Sequence, residues 1–205
     1  MSVARPSPPA PPAFVSQQVT AARRFYLNLK PRPTRDLTVV CGGWEECAAD
    51  YAIDPTHTFV TFEIDHFGTT TNRGRFDKKE GTVQFDRAAK TGKVDISFDV
   101  ASVNTGTEAF NKHLQSADLL NVAQHPKARF VSDKFVFNGD NVTEVSGQFT
   151  LLGKSQPLTL KASKFNCYQN PMLKREVCGG DFEATFDRTA HGLNYGIDWG
   201  FAKNV

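Results

Sequence analysis

The sequence lacks a long apolar run, since no stretch approaches the roughly 20 residues that a membrane-spanning helix needs. Residues 1–49 also lack the apolar core of roughly 7–15 residues that a secretory signal requires, so no signal peptide is visible. This segment is instead rich in Pro and Arg, and no apolar face repeats along it. We therefore predict that residues 1–49 are irregular, either disordered or an aberrant leader.

The chain also lacks a large excess of either positive or negative charge. The 24 basic residues nearly balance the 22 acidic ones, and the net charge is +2. The basic residues are scattered among acidic ones, which argues against a nucleic-acid partner. Catalytic signatures are equally scarce: there is no Gly-x-Ser-x-Gly elbow, no dinucleotide fingerprint and no spacing of His and Glu that suggests a metal triad. We predict a protein that is not an enzyme, with no catalytic residue, no metal site and no required cofactor.

The aromatic residues are unevenly distributed among the three types. The chain has 17 Phe but only 4 Tyr and 2 Trp. Phe has a large apolar side chain and no polar group that needs a partner, so a Phe-rich face suits either a dry core or an apolar cavity.

Alternation of apolar and polar residues is the clearest pattern in the chain. Residues 60–66 place Val, Phe, Ile and His on one side of a strand and Thr, Glu and Asp on the other, and residues 94–100 and 143–151 alternate similarly. Such alternation, with little helix between the strands, predicts antiparallel β-structure with one buried face. The acidic residues of the alternating strands, Glu63 among them, are predicted to face solvent.

About eight strands with mostly short connections favour an all-β, up-and-down barrel over residues 50–205. One segment breaks the period: Thr107 can cap a short helix in which Phe110 and Leu114 share a face. At about eight strands the interior can be filled by side chains or hold one small ligand.

The inward-facing residues are the candidate ligand-binding set. They are Phe62, Ile64, His66, Phe76, Val83, Phe85, Ile96, Phe98, Phe110, Leu114, Phe130, Phe149, Leu151, Leu160 and Phe186. Taken alone, the apolar members are explained as an ordinary core. His66 ends the inward series of its strand, so it is either a core histidine, which we favour, or a polar anchor for a ligand head group.

Four cysteines fall into two pairs. Cys167 and Cys178 flank a turn-rich loop that would bring them together, which favours a disulfide over two free buried thiols or half of a metal site. A bridge there implies an oxidising compartment. Cys41 and Cys47 match no strong zinc pattern, and we assign them no role.

A series of short motifs runs through residues 50–205 in a fixed order. They include YAIDPTH at 51–57, HFG at 66–68, HPKARF at 125–130 and CGGD at 178–181. Together these motifs resemble the YceI-like family. The resemblance implies a lipocalin-like barrel in a bacterial, usually periplasmic protein, with a lumen that can enclose a polyisoprenoid chain.

The resemblance implies that the inward-facing apolar residues line a cavity. It implies non-catalytic binding or carrying of a polyisoprenoid or similar long apolar lipid. One alternative is a quinone-linked electron-transfer or stress-response accessory, with a bound isoprenoid quinone. Another is a small-molecule enzyme that uses His66. The expected partners are the lipid and a peripheral membrane or membrane-protein contact, for a periplasmic monomer or dimer.

The resemblance also implies one more alternating strand after residues 188–196 than this sequence contains. We therefore expect a barrel that lacks its last strand. The gap should lie between the strands near residues 51–67 and 180–188, and residues 1–49 should cover part of it.

Overall fold

The computed structural model of the protein describes residues 25–31 and 49–205. This part of the chain consists mainly of antiparallel strands, with one α-helix. The strands are β1 (Phe25–Pro31), β2 (Ala49–Ile53), β3 (Phe59–His66), β4 (Thr70–Phe76), β5 (Lys79–Asp86), β6 (Thr91–Asp99), β7 (Val103–Asn104), β8 (Lys127–Asn138), β9 (Asn141–Leu151), β10 (Lys154–Asn170) and β11 (Arg175–Glu183). The helix, α1, is Glu108–Gln115, and short 3₁₀ turns cover Val100–Ser102, Arg188–His191 and Ile197–Trp199.

The sheet curls until its two ends meet. The strand order is β11–β10–β9–β8–β6–β5–β2–β1, and β1 pairs in turn with β11. β3, β4 and β7 continue from β1 along one rim. Every ladder is antiparallel, which confirms the predicted barrel class with its single helical excursion. Thr107 is the N-cap of α1 as predicted, although its side chain makes no capping hydrogen bond.

Strand β1 was not predicted from the sequence. It pairs with β11 through Leu27↔Gly180 and with β2 through Leu29↔Ile53. Because β1 lies between those two strands, it occupies the place where we expected a gap. The prediction that residues 1–49 are irregular throughout is therefore wrong at Phe25–Pro31. The rest of that segment, with Cys41 and Cys47, lies outside the described residues, and the domain boundary at residue 50 stays a prediction.

The interior of the barrel is packed with aromatic rings. The Phe98 ring lies 4.5 Å from that of Phe76 and 6.3 Å from that of Phe149, measured between centroids. Gly74 on β4 lies opposite Phe62 on β3, and a Cβ at Gly74 would sit only 2.4 Å from the Phe62 ring. The small residue lets the ring lie flat across the neighbouring strand, and this keeps Phe62 on the inner face.

The two ends of the barrel differ in construction. At one end, which we call the mouth, lie the β3–β4 turn, helix α1 and residues 184–205. At the other, which we call the far end, tight turns join β5 to β6, β8 to β9 and β10 to β11. The mouth is thus built from irregular segments and the far end from hairpins.

A disulfide joins Cys167 and Cys178 near the far end. The two residues face each other in the β10–β11 ladder, with Cα atoms 4.0 Å apart. This confirms the disulfide over free thiols. The two sulfur atoms and Glu176 also form the one group of potential metal ligands found among the described residues. Disulfide sulfurs are not thiolates, so this group lacks the ligands that a zinc site would need.

Reduction of this disulfide is expected to destabilise the barrel. The bridged residues are 11 apart in sequence, and closing a loop of that size contributes about 3 kcal/mol in the chain-entropy model. Denaturant unfolding with and without a dithiol reductant measures the loss. A Cys167→Ala/Cys178→Ala variant is the control, because its stability should be low already and should not respond to reductant. Equal stability of the oxidised and reduced proteins would contradict this expectation.

Candidate functional site

Two adjoining apolar cavities lie inside the barrel. The smaller, of about 80 Å³, lies in the far half, and the larger, of about 320 Å³, reaches the mouth. Val60, Phe98, Phe149 and Leu158 line both. The cavities are therefore neighbours along the barrel axis, separated by these side chains alone.

Each of the predicted inward residues lines one of these cavities. Phe98 and Phe149 line both. The smaller cavity also has Val83, Phe85, Ile96, Phe130 and Leu160, and the larger has Phe62, Ile64, His66, Phe76, Phe110, Leu114, Leu151 and Phe186. Alternation placed the strand residues of this set, and helical spacing placed Phe110 and Leu114. The larger cavity also has Thr61, Glu63 and Asp65 in its wall, which the alternation predicted to face solvent. Contact of the predicted inward residues with a ligand stays a prediction.

Helix α1 covers part of the larger cavity. Phe110 and Leu114, one turn apart, both line it. The chain then turns back, with the Leu120 amide donating to the Leu114 carbonyl at 3.0 Å. This turn adds Leu119 and Leu120 to the cavity wall. Because the helix and this turn are short and lie at the rim, they form a side wall of the mouth.

The C-terminal loop supplies lining residues that the sequence pattern did not reveal. Leu193, Tyr195, Phe201 and Val205 all line the larger cavity. They lie in a segment with 3₁₀ turns and no strand period, so alternation could not place them inside. The excess of apolar and aromatic residues in this loop was the only signal.

Arg188 holds this loop in place. The residue is only 2% exposed, and its guanidinium donates to the carbonyls of Ala202 at 2.8 Å, Leu193 at 2.8 Å and Tyr195 at 2.9 Å. Burial lowers the pKa of Arg188, while the adjacent Asp187 carboxylate acts in the opposite direction. Arg188 also lines the larger cavity, where it adds a cation to a mostly apolar wall.

An aromatic collar surrounds the mouth. It consists of Phe67, Tyr195, Trp199 and Phe201. The Phe201 ring lies 4.6 Å from Phe67 and 6.5 Å from Trp199, and Trp199 lies 5.4 Å from Tyr195, between centroids. Tyr195 and Phe201 line the cavity, whereas Phe67 and Trp199 are exposed. The collar is therefore continuous from the cavity to solvent.

His66 lies beside this collar. Its ring is 5.0 Å from the Phe67 ring and 5.7 Å from that of Phe201, both in edge-on arrangements. It is half-buried and lines the mouth of the larger cavity together with Asn72 and His113. This position is compatible with both predicted roles of His66, a packed histidine or a polar anchor at the rim.

One acidic residue of β3, Glu63, is less exposed than predicted. Glu63 lies opposite Arg73 in the β3–β4 ladder, and its Oε1 accepts a hydrogen bond from Arg73 Nε at 2.9 Å. The Glu63 side chain is only 15% exposed, so the prediction of a freely solvated carboxylate is wrong at this position.

A polar cluster lies near the far end. The buried Tyr51 hydroxyl donates to Glu176 Oε1 at 2.8 Å, and Arg87 forms an ion pair with the same carboxylate. Burial and the neighbouring Glu176 charge together raise the pKa of Tyr51 far above its usual value, so the phenol stays a neutral donor. With the disulfide next to it, this cluster ties β2, the β5–β6 turn and β11 together.

Comparison with known proteins identifies the family. The YceI-like domain matches residues 51–205. The chain belongs to the YceI-like family. It is similar to the protein YceI of Escherichia coli O17:K52:H18, with 40% identity over 118 residues, 56% of this chain and 61% of that protein. A UPF0312 protein of Pseudomonas aeruginosa strain LESB58 is 35% identical over 146 residues, which are 70% of this chain and 72% of that protein.

A solved structure supports the fold. Burkholderia cenocepacia BcnA aligns with a TM-score of 0.60 at 23% identity, covering 74% of this chain and 92% of BcnA. At this identity the likeness concerns the YceI-like barrel alone. In the ranges 25–31 and 49–205, the YceI-like chain has no helix of the length and apolarity that crossing a membrane requires.

Proposed function

We propose that this YceI-like protein binds and carries a long apolar lipid of the polyisoprenoid class in its barrel lumen, without catalysing a reaction. The observation that carries the proposal is the pair of adjoining Phe-lined cavities along the barrel axis. The wall of the smaller cavity is apolar except for Thr58, and the polar residues of the larger one include His66 and Arg188 near its mouth. Such a lining favours a ligand with a long apolar tail and a polar group at one end.

Burial of the tail supplies the binding energy. Each buried CH₂ contributes about 0.8 kcal/mol, so even a partly enclosed chain binds tightly with few polar contacts. Displacement of the Phe98 or Phe149 ring, which lie between the cavities, would join them into one elongated channel. An elongated channel suits an extended prenyl chain better than a compact ligand.

An isoprenoid quinone is the second candidate, since it shares the same tail. Its ring carries carbonyl oxygens that accept hydrogen bonds, and the Arg188 guanidinium and the His66 ring at the mouth are potential donors. The enzyme alternative that uses His66 receives less support, because the described ring neighbours of His66 are the apolar rings of Phe67 and Phe201.

Organic extraction of the purified protein, followed by mass spectrometry, tests the proposal. We expect about one isoprenoid per barrel, as a single filled lumen requires. Ultraviolet absorbance of the extract separates the two candidates, since a quinone absorbs and a plain polyprenol does not. A protein that contains no lipid and also fails to take up added polyprenol would contradict the proposal.

We also propose that the protein is periplasmic. The Cys167–Cys178 disulfide suits an oxidising environment such as the periplasm, where the resemblance places YceI-like proteins. Trapping of free thiols in intact cells should find this pair oxidised.

A further inference from the structure

The aromatic collar exposes more apolar surface than the fold of the barrel requires. Trp199 is 66% exposed and Phe67 is 49% exposed. Both lie at the rim of the larger cavity and are linked through the Phe201 ring, which lines it. Two large rings displayed together at the entrance of an apolar cavity mark a contact surface.

The backbone at Phe67 is strained, and its ring is 49% exposed while it packs against Phe201. Phe67 has φ = 57° and Gly68 has φ = 68°, and the Thr69 amide closes the turn on the His66 carbonyl at 3.1 Å. Positive φ at both central positions is typical of a turn in which Asn or Gly is normally preferred at the first. A bulky aromatic residue is unfavourable there, so its presence indicates a role outside the fold.

Residues with positive φ also set the position of Trp199. The 3₁₀ turn Ile197–Trp199 lies between Gly196 and Gly200, with φ = 75° and 91°. The Phe201 ring packs over Gly196, where a Cβ would sit 2.2 Å from it. The loop therefore folds one aromatic ring inward, onto the cavity, and leaves its neighbour two residues earlier in solvent.

We propose that the aromatic collar docks the barrel mouth on the surface of a lipid bilayer, with Trp199 and Phe67 inserted at the headgroup level. Trp is enriched at membrane–water interfaces, because its ring has an apolar body and a polar N–H. The continuity of the collar with the cavity places the entrance against the membrane. The docking goes beyond lipid carrying, since the two exposed rings, Phe67 and Trp199, are not part of the cavity wall.

The charges around the collar indicate that aromatic insertion, rather than attraction to anionic lipid, drives docking. Asp65 and Asp198, close in sequence to the two rings, are exposed, as is Lys203. Two other exposed cations at this end, Arg73 and Lys112, are paired with Glu63 and Glu108. This balance gives no basic patch for acidic headgroups. We therefore expect binding to vesicles of phosphatidylcholine alone, with no weakening as salt is raised.

Vesicle binding and tryptophan fluorescence test the proposal. The chain has 2 Trp, so Trp44→Phe leaves Trp199 as the single reporter. Its emission should shift to the blue when phosphatidylcholine vesicles are added. In otherwise unchanged protein, Trp199→Ser and Phe67→Asn should each weaken sedimentation with vesicles about tenfold. Asn accepts positive φ, so Phe67→Asn keeps the turn intact.

Met172→Ser is the matched control. Met172 is 90% exposed, and it lies at the far end, in the turn between β10 and β11. Removal of this apolar side chain should leave vesicle binding unchanged. Failure of the parent protein to bind vesicles, or an equal loss in Met172→Ser, overturns the docking.

Two further outcomes distinguish bilayer docking from dimerisation and from the proposed lipid-carrying function. A dimer that dissociates in Trp199→Ser, without vesicle binding by the parent protein, would assign the collar to a second copy of the chain and overturn the proposal. Vesicle binding by a protein that never carries lipid would overturn the proposed function and support the docking.

Discussion

Replacement of Phe98 with Trp is expected to lower the lipid content of the purified protein about tenfold or more. Phe98 lines both cavities, so a larger ring there fills the space that a continuous lipid tail would need. Overfilling a packed site costs about 1–3 kcal/mol, and about 1.4 kcal/mol corresponds to a tenfold change in affinity. Quantitative mass spectrometry of the extracted lipid, normalised to protein, measures the effect.

Phe137→Trp is the matched control for this variant. Phe137 is on β8 and packs against Phe135, with ring centroids 6.4 Å apart, but it is not part of either cavity wall. The same enlargement there should leave the lipid content unchanged. The lumen site would be wrong if Phe98→Trp folded normally and still carried as much lipid as the unmodified protein.

Replacement of Arg188 with Met should destabilise the protein by about 3 kcal/mol or more. Met keeps an apolar stem but donates no hydrogen bond, so three carbonyls lose their shared donor. Each carbonyl left buried and unsatisfied costs about 1–3 kcal/mol. Because the total stability of a domain is typically about 5–15 kcal/mol, this loss should be visible in urea unfolding.

The Arg188→Lys variant tests whether the stability depends on the charge of Arg188 or on the planar geometry of its guanidinium. Lys keeps the charge, but its single ammonium cannot reproduce the planar fork that reaches Leu193, Tyr195 and Ala202 together. We expect the stability of Arg188→Lys to lie between that of the unmodified protein and that of Arg188→Met. Stability of Arg188→Met equal to that of the unmodified protein would show that the loop does not depend on this side chain.

The period-two pattern predicted the interior of the barrel well. Each strand residue of the candidate ligand-binding set lines a cavity, because alternate residues of a strand share a face. The pattern was less successful on the outer face, where Glu63 is largely covered. Alternation shows on which face a residue lies, but not what packs over that face.

The mouth could not be predicted in the same way. Tyr195, Trp199 and Phe201 are brought together by 3₁₀ turns, two glycines with positive φ and the hydrogen bonds of Arg188. Strand β1 was missed although Phe25, Leu27 and Leu29 alternate with Tyr26, Asn28 and Lys30. The run is short, it lies in a segment rich in Pro and Arg, and its partners on β11 and β2 are distant in sequence.

The far end and the mouth of the barrel are held together by different kinds of contact. In the described part of the chain, the far end is tied by a covalent bridge and by the Tyr51–Glu176–Arg87 contacts. The C-terminal loop at the mouth is held by non-covalent contacts, among them the Arg188 hydrogen bonds and the backbone pairing of Phe186 with Val205. Local opening therefore costs less at the mouth. For the carrier function that we propose, this asymmetry predicts that lipid would enter and leave through the mouth. The net direction of transfer would then be set by the relative affinity of the donor and acceptor membranes for the lipid.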